Sequence, residues 1–161
     1  IPEEVGTDRI CNTAAAQELV GCPAIIGDIG SATNYDVVDE KGAFIGGAIA
    51  PGLETAAHNL FKKAALLEET ALTVPTLAIG KDTVTNLQSG IMLGAIDIID
   101  GMFKRIQSET SWKNLHNIIT GGFGELISPH LKRANHHEPF LTLYGLALAG
   151  RFIVQGSVSH S

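Results

Sequence analysis

The sequence is short of the residues that mark a specialised surface. Only 17% of its 161 residues are charged and 6% are aromatic, and the charge balance is acidic, at −6. Clustered Lys and Arg, which hold a phosphate backbone, are missing. The basic residues that do pair up, Lys62-Lys63, Lys104-Arg105 and Lys132-Arg133, are of the kind that solvates a helix face. No nucleic-acid partner is expected. No apolar run reaches the roughly 18 uncharged residues of a membrane-spanning helix; the run from Ile91 to Phe103 is broken by Asp97 and Asp100. No signal peptide is visible, so a cytoplasmic location without a membrane partner is expected. Cysteine is also scarce. Cys11 and Cys22 make no CxxC pair, and two reduced thiols fit better than one disulfide.

Several signatures of chemistry are missing too. There is no GxGxxG dinucleotide fingerprint and no GxxxxGK[ST] phosphate loop. If a nucleotide binds, it binds by another device. None of the six histidines forms HExxH, and no Cys/His spacing suits a metal. His136-His137, in a polar stretch before Pro139, is expected to be exposed. The absence of GxSxG removes support for a serine hydrolase.

What remains is globular. Hydrophobic residues make up 45% of the chain, enough for one ordinary core. A helix is expected through Ile10, Ala14, Ala15 and Leu19, capped by Thr7 or Asp8 and stopped by Gly21-Cys22-Pro23. Ala24-Ile25-Ile26 reads as a short buried strand. Tyr35–Val38 and Ala43–Ile49 read as a hairpin turning at Lys41-Gly42. Leu53–Leu67 has helical spacing, and a long helix is expected from about Asp82 to Ser108. Its Gly90 and Gly94 share a face, for packing inside the domain or against another subunit. Leu115–Ile119 reads as a strand, and Phe123–Leu131 and Leu141–Gln155 as helices. Hairpins mixed with strand–helix units predict an α/β or α+β class with a mixed sheet.

Three segments could carry chemistry. In Asp28-Ile29-Gly30-Ser31-Ala32-Thr33 an apolar strand delivers an acid, a glycine and two hydroxyl residues. That order suits a phosphate, with the acid beside a cation; it also suits an ordinary strand exit. Gly121-Gly122, after Ile118-Ile119-Thr120, would let a flat ring or a phosphate approach the backbone. Gly6-Thr7-Asp8-Arg9 reads either as a general base beside an anion clamp or as a helix cap with a solvated Arg.

In order, these pieces together with Gly46-Gly47-Ala48-Ile49-Ala50-Pro51-Gly52, Gly80-Lys81-Asp82-Thr83 and Gln88-Ser89-Gly90 resemble type III pantothenate kinase, from Gly6 to about Leu148. The resemblance implies a ribonuclease-H-like mixed sheet with helices, within the actin-like, acetate-and-sugar-kinase superfamily. It implies transfer of the ATP γ-phosphate to the primary hydroxyl of pantothenate, the first step of coenzyme A biosynthesis, by a homodimer. By the same resemblance Asp8 accepts the proton. Gly6, Thr7, Asp8 and Arg9 line the pantothenate site, and Thr83 adds a contact. Asp28 holds K⁺ or ammonium. Gly30, Ser31 and Thr33 serve ATP, used with Mg²⁺, and Gly121 and Gly122 lie near its adenosine.

The match has departures. Ser31 and Asn34 stand where the family usually has, or often has, Thr. The family's early Asp-Gly-Asn-Thr-type phosphate loop has no counterpart, and the chain opens at Ile1-Pro2 without Met. The expectation is therefore a single C-terminal domain, residues 1–161, of a two-half kinase, inactive alone. The alternative is a non-catalytic nucleotide-binding or transcription-accessory protein on the same fold, which loss of the acid at 8 or 28 would favour; both acids are present.

Overall fold

The computed structural model describes residues 4–64 and 67–158, with side chains described as far as Arg151. The expected helix to Leu67 is seen as α2 (Leu53–Lys63); residues 65–66 lie outside the described residues.

Helix α1 (Thr7–Leu19) starts earlier than the cap expected at Thr7 or Asp8. The Gly6 carbonyl already accepts from the Arg9 and Ile10 amides, so Gly6 is the N-cap, and among the described residues no side chain caps the helix. Asp8 thus stands in the first turn, where the helix dipole favours an anion, and its carboxylate is not spent on capping.

Strand β1 (Ala24–Ile29) runs further than the apolar triplet suggested, because Asp28 and Ile29 still pair with a neighbour. It pairs antiparallel with β2 (Ala32–Val38), which pairs antiparallel with β3 (Phe44–Pro51). On its other side β1 pairs parallel with β4 (His116–Thr120), and β4 with β5 (His136–His137). The order β3-β2-β1-β4-β5, three antiparallel strands continued by two parallel ones, is the mixed sheet expected from the sequence. His136-His137 is a correction. The pair forms a short, half-buried edge strand, with His116 Nδ1 and His136 Nε2 3.1 Å apart. Two residues are too few to carry an alternation, so only pairing with Ile118 and Ile119 reveals the strand.

Alternation along the strands sends side chains to two cores. Ile25, Ile29, Tyr35, Val37 and Ile119 meet Met92, Ile96, Ile99 and Phe103. Ala24, Ile26, Val38 and Ile118 meet Ala15 and Ala16 of α1 and Leu141 of α6 (Leu141–Val158). Burying each Ile stabilises the fold by about 1.5–3 kcal/mol.

The long helix expected over Asp82–Ser108 is present in three parts. Asp82 caps α3 (Thr83–Gln88), accepting from the Thr85 amide at 2.8 Å. A π-helical turn, Ser89–Leu93, then leads into α4 (Gly94–Ser108). Among the described residues, packing of Gly90 and Gly94 inside the domain is not found: beyond their own helix, a Cβ at either would meet nothing within 4 Å. The helix expected over Phe123–Leu131 is short, α5 (Gly124–Ile127) followed by a 3₁₀ turn at Ser128–His130, because Pro129 has no N–H to continue it. Among the described residues, both cysteines are free thiols and no helix is long and apolar enough to cross a membrane.

Candidate active site

One face of the sheet collects the polar residues. Asp28, near the carboxyl end of β1, stands in register with Asn34 of β2 and Thr120 of β4. Alternation places Asp36 of β2 on that same face, towards α1. In open α/β sheets this end of the strands is where ligands bind.

Helix α1 supplies the facing groups. Asp8 and Asn12, one turn apart, share a helix face. Asn12 is completely buried and its Nδ2 donates to Asp28 Oδ2 at 3.0 Å. Asn12 Oδ1 accepts in turn from the Thr142 hydroxyl of α6 at 2.7 Å. Arg9 Nε donates to Asp36 Oδ1 at 2.6 Å, and its guanidinium lies 5.3 Å from the centre of the Phe44 ring. Arg9 is thus not a solvated side chain; it is 15% exposed and its partner Asp36 fully buried.

Helix α6 must come very close for Thr142 to reach Asn12, and Gly145 permits it. A Cβ at Gly145 would collide with the Cys11 carbonyl of α1. Gly121 does the same for the turn after β4. Its φ of +90° suits glycine, and a Cβ there would collide with Asp28 Oδ1. The Phe123 amide donates to the Ile29 carbonyl at 3.0 Å, joining the Gly121-Gly122 turn to the Gly30-Ser31 turn.

Three acids and one guanidinium therefore share a small volume. Burial raises the Asp28 carboxyl above its ordinary range; the Asn12 hydrogen bond opposes this, and the Asp8 charge adds to it. Burial also pushes Asp36 up to about 6, against the lowering by Arg9 and with smaller upward pushes from Asp28 and Asp8. A 2.6 Å bond to Arg9 and a raised pKa pull in opposite directions. Desolvation prevails because Asp36 Oδ2 is buried without any partner among the described residues.

The structure brings together most of the residues singled out in the sequence. Gly6, Thr7, Asp8 and Arg9 form the start of α1, and Asp28, Gly30, Ser31, Gly121 and Gly122 form the two joined turns. The Ser31 carbonyl is occupied by the Gly52 amide and the Thr55 hydroxyl, while its side chain is exposed. Thr33 and Thr83 are not brought in. Thr33 is buried and lines an apolar groove on the α4 face. Thr83 begins α3, is exposed, and among the described residues no hydrogen bond ties it to the acids. Sequence reasoning missed Asn12, Asp36 and Thr142. Two of them carried a signal. Asn12 is an amide one turn after Asp8 in an alanine-rich helix, and Asp36 is an acid inside an apolar strand.

Residues 1–105 match the family profile of type III pantothenate kinase. The chain belongs to that family. The type III pantothenate kinases of Parafrankia sp. (strain EAN1pec) and Thermomicrobium roseum are 46% and 47% identical to it over 147 and 148 residues. The matches cover 91% and 92% of this chain but 58% and 57% of those proteins; the chain spans a little over half the length of the curated relatives it matches. Among solved structures, a Campylobacter jejuni protein assigned to the Baf family of transcriptional activators superposes with a TM-score of 0.63 at 20% identity, covering 99% of this chain and 68% of that one. The activator of 2-hydroxyisocaproyl-CoA dehydratase from Clostridium difficile, with bound ADPNP, gives 0.54 at 10% identity, covering 96% and 69%. Both support the fold.

Proposed function

We propose that the full-length protein is a pantothenate kinase, transferring the γ-phosphate of ATP to the primary hydroxyl of pantothenate in the cytoplasm. Family membership supports this, and the observation that carries it is the grouping of Asp8, Arg9 and Asp28 beside the two glycine turns. In the reaction the hydroxyl oxygen bonds to the γ-phosphorus as the bond to the ADP oxygen breaks. The hydroxyl proton passes to Asp8, whose exposed carboxylate can reach a substrate outside the sheet. Arg9, held by Asp36, presents its remaining N–H groups to the substrate carboxylate. Gly6 and Thr7 complete that side, and Thr83 joins it only from elsewhere in the assembly. Gly30 and Ser31 face the phosphates, and the open Gly122 faces the adenosine.

A monovalent cation fits Asp28. Its Oδ2 is held by Asn12, while among the described residues no hydrogen bond reaches Oδ1, which lies against the Gly121 backbone. Bound there, K⁺ or ammonium would offset phosphate charge. Mg²⁺ and the first phosphate loop belong to a second ribonuclease-H-like half, outside residues 1–161. The test of the whole reading is ADP release by the full-length protein that depends on pantothenate; ADP release indifferent to pantothenate would refute it.

The cation assignment has its own test. Activity of the full-length enzyme should be higher in KCl than in NaCl, and Asp28→Ala should abolish the difference. Equal rates in both salts for the unmodified enzyme would remove the cation from Asp28.

The protein is also expected to be a homodimer. Gly90 and Gly94, with nothing from outside their own helix against them among the described residues, border an apolar groove of about 250 Å³ between α2 and α4, where Leu60 and Ile98 stand exposed. Apolar surface of this kind is usually covered by a partner. Sedimentation at micromolar concentration should give twice the monomer mass, and Gly94→Leu should shift it towards monomer. A fully active monomer would contradict this.

A further inference from the structure

We propose that Asn12 and Thr142 are positioning residues, forming a two-bond relay from α6 through α1 that fixes the orientation of the Asp28 carboxylate. The proposal rests on the function above only in what Asp28 is for; the relay itself is a matter of geometry. Thr142 Oγ1 donates to Asn12 Oδ1 at 2.7 Å, and Asn12 Nδ2 donates to Asp28 Oδ2 at 3.0 Å. The directions follow from the chemistry of the groups. An ionised carboxylate only accepts, so the Asn12 amide must turn its NH₂ towards Asp28. Its carbonyl oxygen then needs a donor, and a threonine hydroxyl can rotate to supply one.

Asn12 has no access to water, so either bond left unmade would leave a polar group buried and unpaired. Asn is also a weak helix former in the middle of α1; local structure gives no reason for it there. The consequence at Asp28 is a division of labour between its oxygens. Oδ2 is pinned by Asn12, and Oδ1 is directed at Gly121. Thr142 lies beyond residues 1–105, the part that matches the family profile. It makes α6 part of the site although it touches no reactant.

The test uses Thr142→Val, which keeps the shape and removes the hydroxyl, with Thr142→Ser, which keeps the hydroxyl, and Asn12→Ala as a second break in the relay. In the full-length protein with ¹⁵N-labelled side-chain amides, Asn12→Ala identifies the Asn12 NH₂ resonances. The expected result is that these protons shift and exchange with solvent faster in Thr142→Val than in the unmodified protein, and return in Thr142→Ser. The KCl concentration for half-maximal activation should rise about tenfold in Thr142→Val, the effect of weakening one charge-assisted hydrogen bond, and should also return in Thr142→Ser. A lower melting temperature in Thr142→Val with unchanged Asn12 amide resonances would overturn the relay and leave only packing. Moved Asn12 resonances with no change in KCl dependence would uphold the relay and overturn the cation role of Asp28.

Discussion

Asp8→Asn is expected to lower turnover of the full-length enzyme by about 10²–10⁴-fold, the usual contribution of a positioned proton acceptor, while ATP affinity changes little. The reason is where Asp8 sits. It occupies the first turn of α1, makes no cap bond, and is exposed, so Asn can replace it without leaving a buried group unpaired. The folded structure, the Arg9–Asp36 pair and the Asn12–Asp28 bond should all persist. Only the capacity to take the hydroxyl proton is lost, which lowers kcat and kcat/KM together. Steady-state kinetics with pantothenate, alongside ATP binding measured directly, would check this. Turnover near that of the unmodified enzyme would remove Asp8 from the chemistry.

Arg9→Met is expected to show its effect in stability, and the size of the effect should depend on pH. Removing one partner of a buried ion pair typically costs about 3–5 kcal/mol, because the other charge is left uncompensated. Here the partner is Asp36, fully buried, with Oδ2 already unpaired among the described residues. Burial raises the folded Asp36 carboxyl to about 6 from its ordinary 3.8. Over that interval the folded state holds a proton that the unfolded state has released, so this group's contribution is fully present below the unfolded value and is lost as pH rises through about 6. Without Arg9 the folded value moves higher still, and the loss continues to higher pH. Arg9→Met should therefore cost about 3 kcal/mol at pH 7.5 and clearly less at pH 5, where Asp36 can stay neutral. Urea unfolding at both pH values decides it; an equal cost at the two would mean that Asp36 is not the group left stranded.

The sequence by itself determined the family and the general plan of the fold. Gly6-Thr7-Asp8-Arg9, Asp28-Ile29-Gly30-Ser31 and Thr120-Gly121-Gly122 are local in the chain, and each motif carries its own chemistry. The apolar triplet Ala24-Ile25-Ile26, the strand read at Leu115–Ile119 and the hairpin of β2 and β3 were legible for the same reason, since apolar runs and turn residues are local signals, although pairing carried β1 on to Ile29. What tertiary structure alone decided was which polar residues meet. Asp36 reads in the sequence as an acid in a strand, and only the packing of α1 across the sheet gives it Arg9, 27 residues away. Thr142 lies 130 residues from Asn12, at the start of a helix that no local pattern ties to a site. His136-His137 became a strand only because β4 was there to pair with. Thr33 faced away from the acids because a strand alternates its side chains, and which face holds the acids is set by where α1 packs. A buried polar group must find its partner wherever the fold puts one, and the sequence does not record that distance.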